Sequence, residues 1–316
     1  MVTSLTEVVS LLCCPDDGGR LNLAHGELQC SACERHFPVH GENVIEILPL
    51  APQKLPSSIS SEYREGYKEA FDQKYQEGEE GLAWGAEESV TRSWSLKRHR
   101  QVEFVRPLVT QGTKPGDTVL CDIAAGAGYY TLAYAQLFRL VLHCDLAVEN
   151  LNYARRKARA LGIRNVFFVR ADYFVPPFRN SLDRLLCMDT LIRGEEHESL
   201  LLESVTKSLN ADGFALVDFH NWWHNPLRRL GLLRNNFGRN RSYTRHGLKC
   251  LLTSHQIAQS AIFPFVQELD VNGARGSFLK RIIPPTRFVF RIQGNVKAGR
   301  SRSAELNLSG TGDVAR

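Results

Sequence analysis

Apolar residues in this chain gather into short runs that polar or glycine-bearing turns interrupt. Such runs occupy residues 119–123, 140–144, 165–172 and 181–191, with a fifth ending at Val217. Runs with little polar alternation predict strands buried on both faces, as in a parallel sheet covered by helices. Helices are expected between them: one beginning near Tyr129, one through 151–155, one through 201–209 and one over 247–258. Residues 94–105 read as a helix leading to the first strand through the turn Pro115-Gly116-Asp117, and 263–271 with 286–292 as a final antiparallel pair that Pro284-Pro285 introduces.

The first hundred residues follow another pattern. Two cysteine-bearing turns flank a short strand-like stretch at 21–23, and the turn formers of residues 51–58 read as a linker. Tyr63, Tyr67, Phe71 and Tyr75 then recur every fourth residue, which places four aromatics on one helical face, either packed on the main domain or closing over its ligand as a lid. Glu77, Glu79, Glu80, Glu87 and Glu88 mark a solvated loop. Residues 294–316 lack aromatics and read as a disordered tail. The expected division is 1–50, a lid and linker over 51–99, a catalytic unit over 100–293 and the tail.

Composition changes little: 316 residues with 43% hydrophobic and 23% charged content can build one large core and a small appendage. A net charge of +5 is too small to name a partner. No apolar run reaches membrane-spanning length, and the N-terminus has no basic start, so a cytoplasmic protein is expected. Of eight cysteines, Cys121, Cys144, Cys187 and Cys250 sit scattered at apolar positions, as buried thiols do.

The strand at 119–123 runs into Ala124-Ala125-Gly126-Ala127-Gly128, a small-residue turn whose backbone can approach a ligand. The next strand ends at Asp145, a carboxylate placed to grip a ribose diol. A dinucleotide fingerprint would need a third glycine where Thr131 stands. Taken as D-x-G-x-G-x-G over Asp122, Ala124, Gly126 and Gly128, the turn resembles motif I of the class I S-adenosylmethionine (SAM)-dependent methyltransferases. Ala124 departs from the family's first glycine, a mild change if its φ stays negative. The downstream runs are similar to the family's strands in order.

The resemblance implies a Rossmann-like doubly wound α/β sheet of seven strands, the last antiparallel, with SAM as cofactor. It also implies Gly126 and Gly128 at the methionine part, Asp145 with Leu146 at the ribose, and Asp172 with Tyr173 at the adenine. Asp122 would fix the turn and the nearby ammonium, while Asp189 and Thr190, after the fourth strand, would border the cofactor.

Near the N-terminus, Cys13-Cys14-Pro15-Asp16-Asp17 and Cys30-Ser31-Ala32-Cys33 are spaced like the two knuckles of a zinc ribbon, which substitutes a metal for a core. The run from 11 to 48 resembles the small zinc-ribbon-like domains that precede some methyltransferases, rRNA guanine-N1 methyltransferases among them. Here Asp17 stands where the second cysteine belongs, so Cys14, Asp17, Cys30 and Cys33 are the candidate ligands of a possible zinc, with Cys13 an alternative.

In an open parallel sheet the ligand lies beyond the carboxyl ends of the strands. His220 is the candidate base there, with Asp218 or Asp189 to orient it, and Arg193, Asn221, Trp222, Trp223 and His224 are candidate acceptor contacts. The null alternative is that the histidines cap a loop and the indoles fill a gap. Arg228, Arg229, Arg234, Arg239, Arg241, Arg245 and Lys249, with Phe237 and Tyr243 among them, suit an anionic small substrate, an RNA surface or merely a solvated face. The expected activity is methylation of a small hydroxylated or anionic acceptor. RNA methylation and a non-catalytic SAM-binding partner protein are the alternatives; the oligomeric state is open.

Overall fold

The computed structural model describes residues 4–41, 43–52, 54, 61–72, 92–114, 116–190, 195–224, 227, 230–232, 242–257, 261–265 and 285–294. Tyr75, the acidic loop, Arg193, most of the arginine-rich segment and all but the first residue of the expected tail lie outside them.

The chain opens with helix α1 (Leu5–Leu11), whose Ser4 cap accepts a hydrogen bond from the amide of Glu7 (3.3 Å). Four short strands follow: β1 (Leu21–Ala24), β2 (Glu27–Cys30), β3 (His36–His40) and β4 (Val44–Glu46). After α2 (Ser61–Asp72) and α3 (Arg92–Val109) come β5 (Val119–Ile123), α4 (Tyr129–Tyr134), β6 (Leu140–Asp145), α5 (Val148–Ala160), β7 (Val166–Arg170) and β8 (Leu182–Cys187). The second half holds α6 (Glu195–Ser208), β9 (Leu209–Asn221), β10 (Ser242–Tyr243), α7 (Arg245–Ser254), β11 (Ile262–Phe265) and β12 (Arg287–Gln293).

The catalytic sheet has the order β7-β6-β5-β8-β9-β12-β11. Neighbours from β7 to β9 are parallel, and β12 runs antiparallel to both β9 and β11. This is the doubly wound seven-stranded sheet with a reversed last strand. Every residue of β5, β6 and β7 is buried, because helices cover both faces. One face packs on α1, α6 and α7 through Val8, Leu201, Val205 and Leu248; the other on α3, α4 and α5 through Val105, Tyr134 and Leu151. Strand order reverses between β5 and β8, which opens a crevice at their carboxyl ends.

Two boundaries differ from the sequence expectation for local reasons. The helix expected from Gly247 starts at Arg245, because Thr244 caps it by accepting from the amide of Gly247 (3.0 Å). The fifth strand begins already at Leu209, where the helix was expected to end, and residues 210–213 form a bulge inside β9, which pairs Leu209 with Leu182 and then Phe214 with Arg184.

The N-terminal unit is continuous with the catalytic sheet. Its β4 lies parallel to β7, Val44 opposite Phe168 and Glu46 opposite Arg170. Leu21, Leu28, Cys30 and Phe37 belong to the same apolar cluster as Cys121 and Leu185. Buried Arg170 donates to Glu46 Oε1 (3.2 Å) and to the Leu146 carbonyl (3.2 Å), so β4 also neutralises a charge inside the sheet.

Candidate active site

The turn after β5 is left-handed at three positions: Ala124 (φ 52°), Gly126 (φ 55°) and Gly128 (φ 78°). The negative φ that would make alanine a mild change at Ala124 is therefore not what the chain adopts. The chain needs the αL conformation there, and alanine holds it at a steric cost of about 1 kcal/mol that glycine would avoid. Gly128 is required for space as well, since a Cβ there would lie 3.1 Å from that of Ala154 and 3.3 Å from the His143 ring. The missing third glycine has a positive role. Thr131 Oγ1 donates to Asp122 Oδ2 (2.7 Å) and faces His143 Nδ1 (3.0 Å), while its amide also donates to Asp122 Oδ2 (3.1 Å).

With its proton committed to Asp122, Thr131 Oγ1 accepts from His143 Nδ1, which fixes the imidazole tautomer. Burial pushes the Asp122 carboxyl up to about 7, against the two Thr131 hydrogen bonds that lower it, and pushes His143 down to about 3. This buried chain ties the turn to β5 and β6.

At the end of β6, Asp145 accepts from the amides of Gly126 (2.8 Å) and Ala147 (2.9 Å) and from Asn150 Nδ2 (2.9 Å). Burial raises its pKa while those donors lower it. Asp172, after β7, is fully buried; Oδ1 accepts from the Phe174 amide (2.9 Å) and Oδ2 from the hydroxyl of Tyr67 on α2. Tyr67, Leu146 and Phe174 form one small apolar cluster, and Tyr173 meets His197 Nε2 through its hydroxyl (2.9 Å). The aromatic stripe on α2 thus reaches Asp172 and the end of β7 through Tyr67.

The acceptor edge departs most from the sequence reading. Asp189 forms ion pairs with Arg98 of α3 and Arg287 of β12; Arg287 also pairs with Asp218, whose Oδ1 accepts from the Asp189 amide (2.7 Å). All four carboxylate oxygens are engaged by arginines or an amide. Orientation of His220 by Asp218 or Asp189 is accordingly corrected: opposite charges in a dry site bind each other more strongly than a neutral imidazole would. His220 is half-buried at the end of β9, next to Asn221.

Asn221 is not a free acceptor contact either. Its side chain donates to the Pro285 carbonyl (2.6 Å) and accepts from the Trp223 amide (3.2 Å), which fixes the loop. Trp222 is half-buried, Trp223 is 46% exposed and His224 is exposed; Thr190 meets Cys187 Sγ (3.0 Å). A pocket opens between α3 and the glycine turn, walled by Arg98, Asp122, Gly126, Tyr130, Met188 and Asp189 among others. Arg98, Tyr130 and Arg287 were missed by sequence reasoning. An arginine inside the apolar run of β12 was the one available signal.

The four proposed metal ligands do come together. Single ligand atoms of Cys14, Asp17, Cys30 and Cys33 all lie within 4.8 Å of one another. Cys14 and Cys33 sulfurs are 3.8 Å apart, and Cys30 Sγ is 3.5 Å from both Asp17 oxygens. Cys13 stands outside this group, its amide bonded to the Pro177 carbonyl.

A family model described as a methyltransferase domain matches residues 120–213, and one described as Trm112p-like protein matches residues 7–42. The chain carries a class I SAM-dependent methyltransferase domain. Among solved structures, geranyl diphosphate C-methyltransferase from Streptomyces coelicolor A3(2) is similar, at 14% identity over 76% of this chain and 100% of that one, with a TM-score of 0.50. Magnesium protoporphyrin IX methyltransferase from Synechocystis PCC 6803 is 17% identical over 74% of this chain and 95% of that one, with a TM-score of 0.46. Such identities speak to the fold alone. No curated protein matches the sequence.

The methyltransferase site fits its cofactor in chemistry. The pocket wall offers one guanidinium, two carboxylates and the buried Tyr130 hydroxyl, which has no hydrogen-bond partner among the described residues. Asp145 accepts three hydrogen bonds of the roughly four a carboxylate can take, leaving room for a ribose hydroxyl. The Trm112p-like segment fits zinc equally well. A zinc–sulfur bond of about 2.3 Å puts tetrahedral sulfurs about 3.8 Å apart. The Gly19 amide holds Asp17 down at about 2, so it stays ionised as a ligand must. Among the described residues no helix is long and apolar enough to cross a membrane.

Proposed function

We propose that this methyltransferase acts on a small-molecule acceptor, hydroxylated or anionic, and that its N-terminal segment holds one structural zinc on Cys14, Asp17, Cys30 and Cys33. The observation that carries the acceptor reading is the character of the catalytic edge. Among the described residues its two arginines, Arg98 and Arg287, are buried and ion-paired with Asp189 and Asp218. An RNA-binding face instead presents unpaired cations to solvent for phosphates.

SAM when bound supplies a methyl group on a sulfonium, and transfer is an in-line displacement that depends on alignment. Gly126 and Gly128 of the glycine turn admit the methionine part, and Asp145 with Leu146 holds the ribose. Asp172 and Tyr173 form the adenine side, and Asp189 with Thr190 borders the cofactor. The loop bearing Trp222, Trp223 and His224 faces the acceptor. His220 takes the proton when the acceptor is a phenol or alcohol.

The test is transfer of labelled methyl from SAM into cell extract separated into RNA, protein, lipid and small-molecule fractions. Label in the small-molecule fraction is expected. Label in RNA would replace this acceptor with the alternative, and the zinc segment would then be its recognition surface. Metal analysis should find about one zinc per chain, lost in Cys30→Ser.

A further inference from the structure

Between Asp218 and Glu268 the sequence has no acidic residue but seven arginines and lysines, more positive charge than the +5 net of the whole chain. This segment is tethered to the end of β9: it leaves at Asn221 and returns in β10, where Ser242 lies opposite His220 and Tyr243 opposite Asn221. Its apolar residues face water. Of the seven large apolar side chains exposed among the described residues, four are Trp223, Leu227, Leu230 and Leu232, the last two 71% and 73% exposed. The turn that carries them is hydrogen-bonded, because the Leu232 amide donates to the Leu227 carbonyl (2.9 Å) across left-handed Gly231 (φ 71°). After β10, exposed Arg245 and Lys249 stand one helical turn apart on α7, lining a cleft of about 380 Å³ with Leu252, Ile257 and Ile262.

We propose that residues 222–249 dock this protein on the surface of an anionic lipid bilayer, with Trp223 and the leucines entering the interface and the cations lying against the headgroups. Cations alone would suit the phosphates of RNA equally well. The exposed aliphatic side chains decide, because a nucleic acid stacks on rings and offers leucine no apolar surface. A bilayer uses every part of the segment: leucines bury at the acyl boundary, an indole sits at headgroup level, and basic groups are drawn to negative lipid. Clustered apolar groups left in water mark such an interaction site. The docking rests on charge and exposure and needs neither cofactor nor acceptor. Its tether at His220 and Asn221 sets the bilayer beside the end of β9.

Sedimentation of the full chain with lipid vesicles tests the docking, using phosphatidylcholine alone and phosphatidylcholine with about one third phosphatidylserine. The anionic vesicles should bind the chain about tenfold or more tightly than the neutral ones. Leu230→Ser combined with Leu232→Ser should weaken that binding about tenfold, since two leucines no longer leave water. The double variant should bind S-adenosylhomocysteine in calorimetry as the parent does, which reports that it folds. No binding to anionic vesicles would overturn the proposal, and so would equal binding by parent and double variant. A single-stranded RNA oligonucleotide held equally by both, in place of vesicles, would assign the segment to RNA. A parent chain that binds vesicles but not S-adenosylhomocysteine would overturn the cofactor reading and leave the docking in place.

Discussion

Beneath the glycine turn, Asp122, Thr131 and His143 form a hydrogen-bonded chain that carries at most one charge, whereas Arg98 of α3, Asp189 after β8, Asp218 of β9 and Arg287 of β12 together place four. Both clusters are shielded from water and both border the pocket. The first is neutralised by proton position, the second by ion pairing. A neutral chain is stable in itself and fixes geometry; a paired cluster is stable only while complete, and any ligand of matching charge can exchange into it. The pocket thus has a rigid, neutral side at the glycine turn and an ion-paired side facing it.

Removing the shared cation should break this contrast most sharply. Arg287→Met leaves Asp189 and Asp218 with Arg98 alone, and a broken buried ion pair costs about 3–5 kcal/mol. Urea denaturation would show it; a loss under about 1 kcal/mol would mean that the four charges merely offset their own desolvation.

The neutral side makes a pH prediction of opposite character. The folded pKa of Asp122, about 7, lies above its unfolded value of about 3.9, so the native state binds the extra proton. That stability is full below about pH 4 and is lost as pH rises through about 7. Asp122→Asn stays neutral, so its stability relative to the parent should improve by a few kcal/mol between those limits. A difference that does not vary with pH would show that Asp122 is ionised throughout. The depressed pKa of His143 gives the reverse slope, but equally in both proteins.

Least affected should be Tyr67→Phe. Loss of the hydroxyl that caps Asp172 should cost about 1–2 kcal/mol in the free protein. If the adenine amino group takes the carboxylate oxygen that Tyr67 otherwise holds, as proposed, S-adenosylhomocysteine should restore more stability to this variant than to the parent. Equal protection, measured as a shift in melting temperature, would mean that Tyr67 and the adenine do not share Asp172.

The same contrast governs what the sequence could reveal. The glycine turn, Asp122, Thr131 and Asp145 lie within 24 positions, and their chemistry shows in local spacing. Uninterrupted apolar runs gave away the parallel strands because helices bury both of their faces. The four candidate metal ligands were legible as a cluster because knuckle spacing is also local. Arg98, Asp189, Asp218 and Arg287 come from four separate elements, and only the sheet order brings β8, β9 and β12 side by side. A carboxylate near a histidine in sequence suggested a catalytic pair at Asp218 and His220, where an arginine from a distant strand in fact takes the carboxylate. Ala124 was misjudged because backbone strain leaves no mark in residue type.

The pairing of β4 with β7 has a consequence for the chain's behaviour in crowded solution. A fully buried parallel strand such as β7 would otherwise be a sheet edge, with unsatisfied amides and carbonyls ready to recruit a strand from another molecule. Three residues, Val44, Ile45 and Glu46, close that edge from within the same chain. The N-terminal unit therefore acts as a guard against aggregation, and its unfolding would surface as self-association of the entire protein.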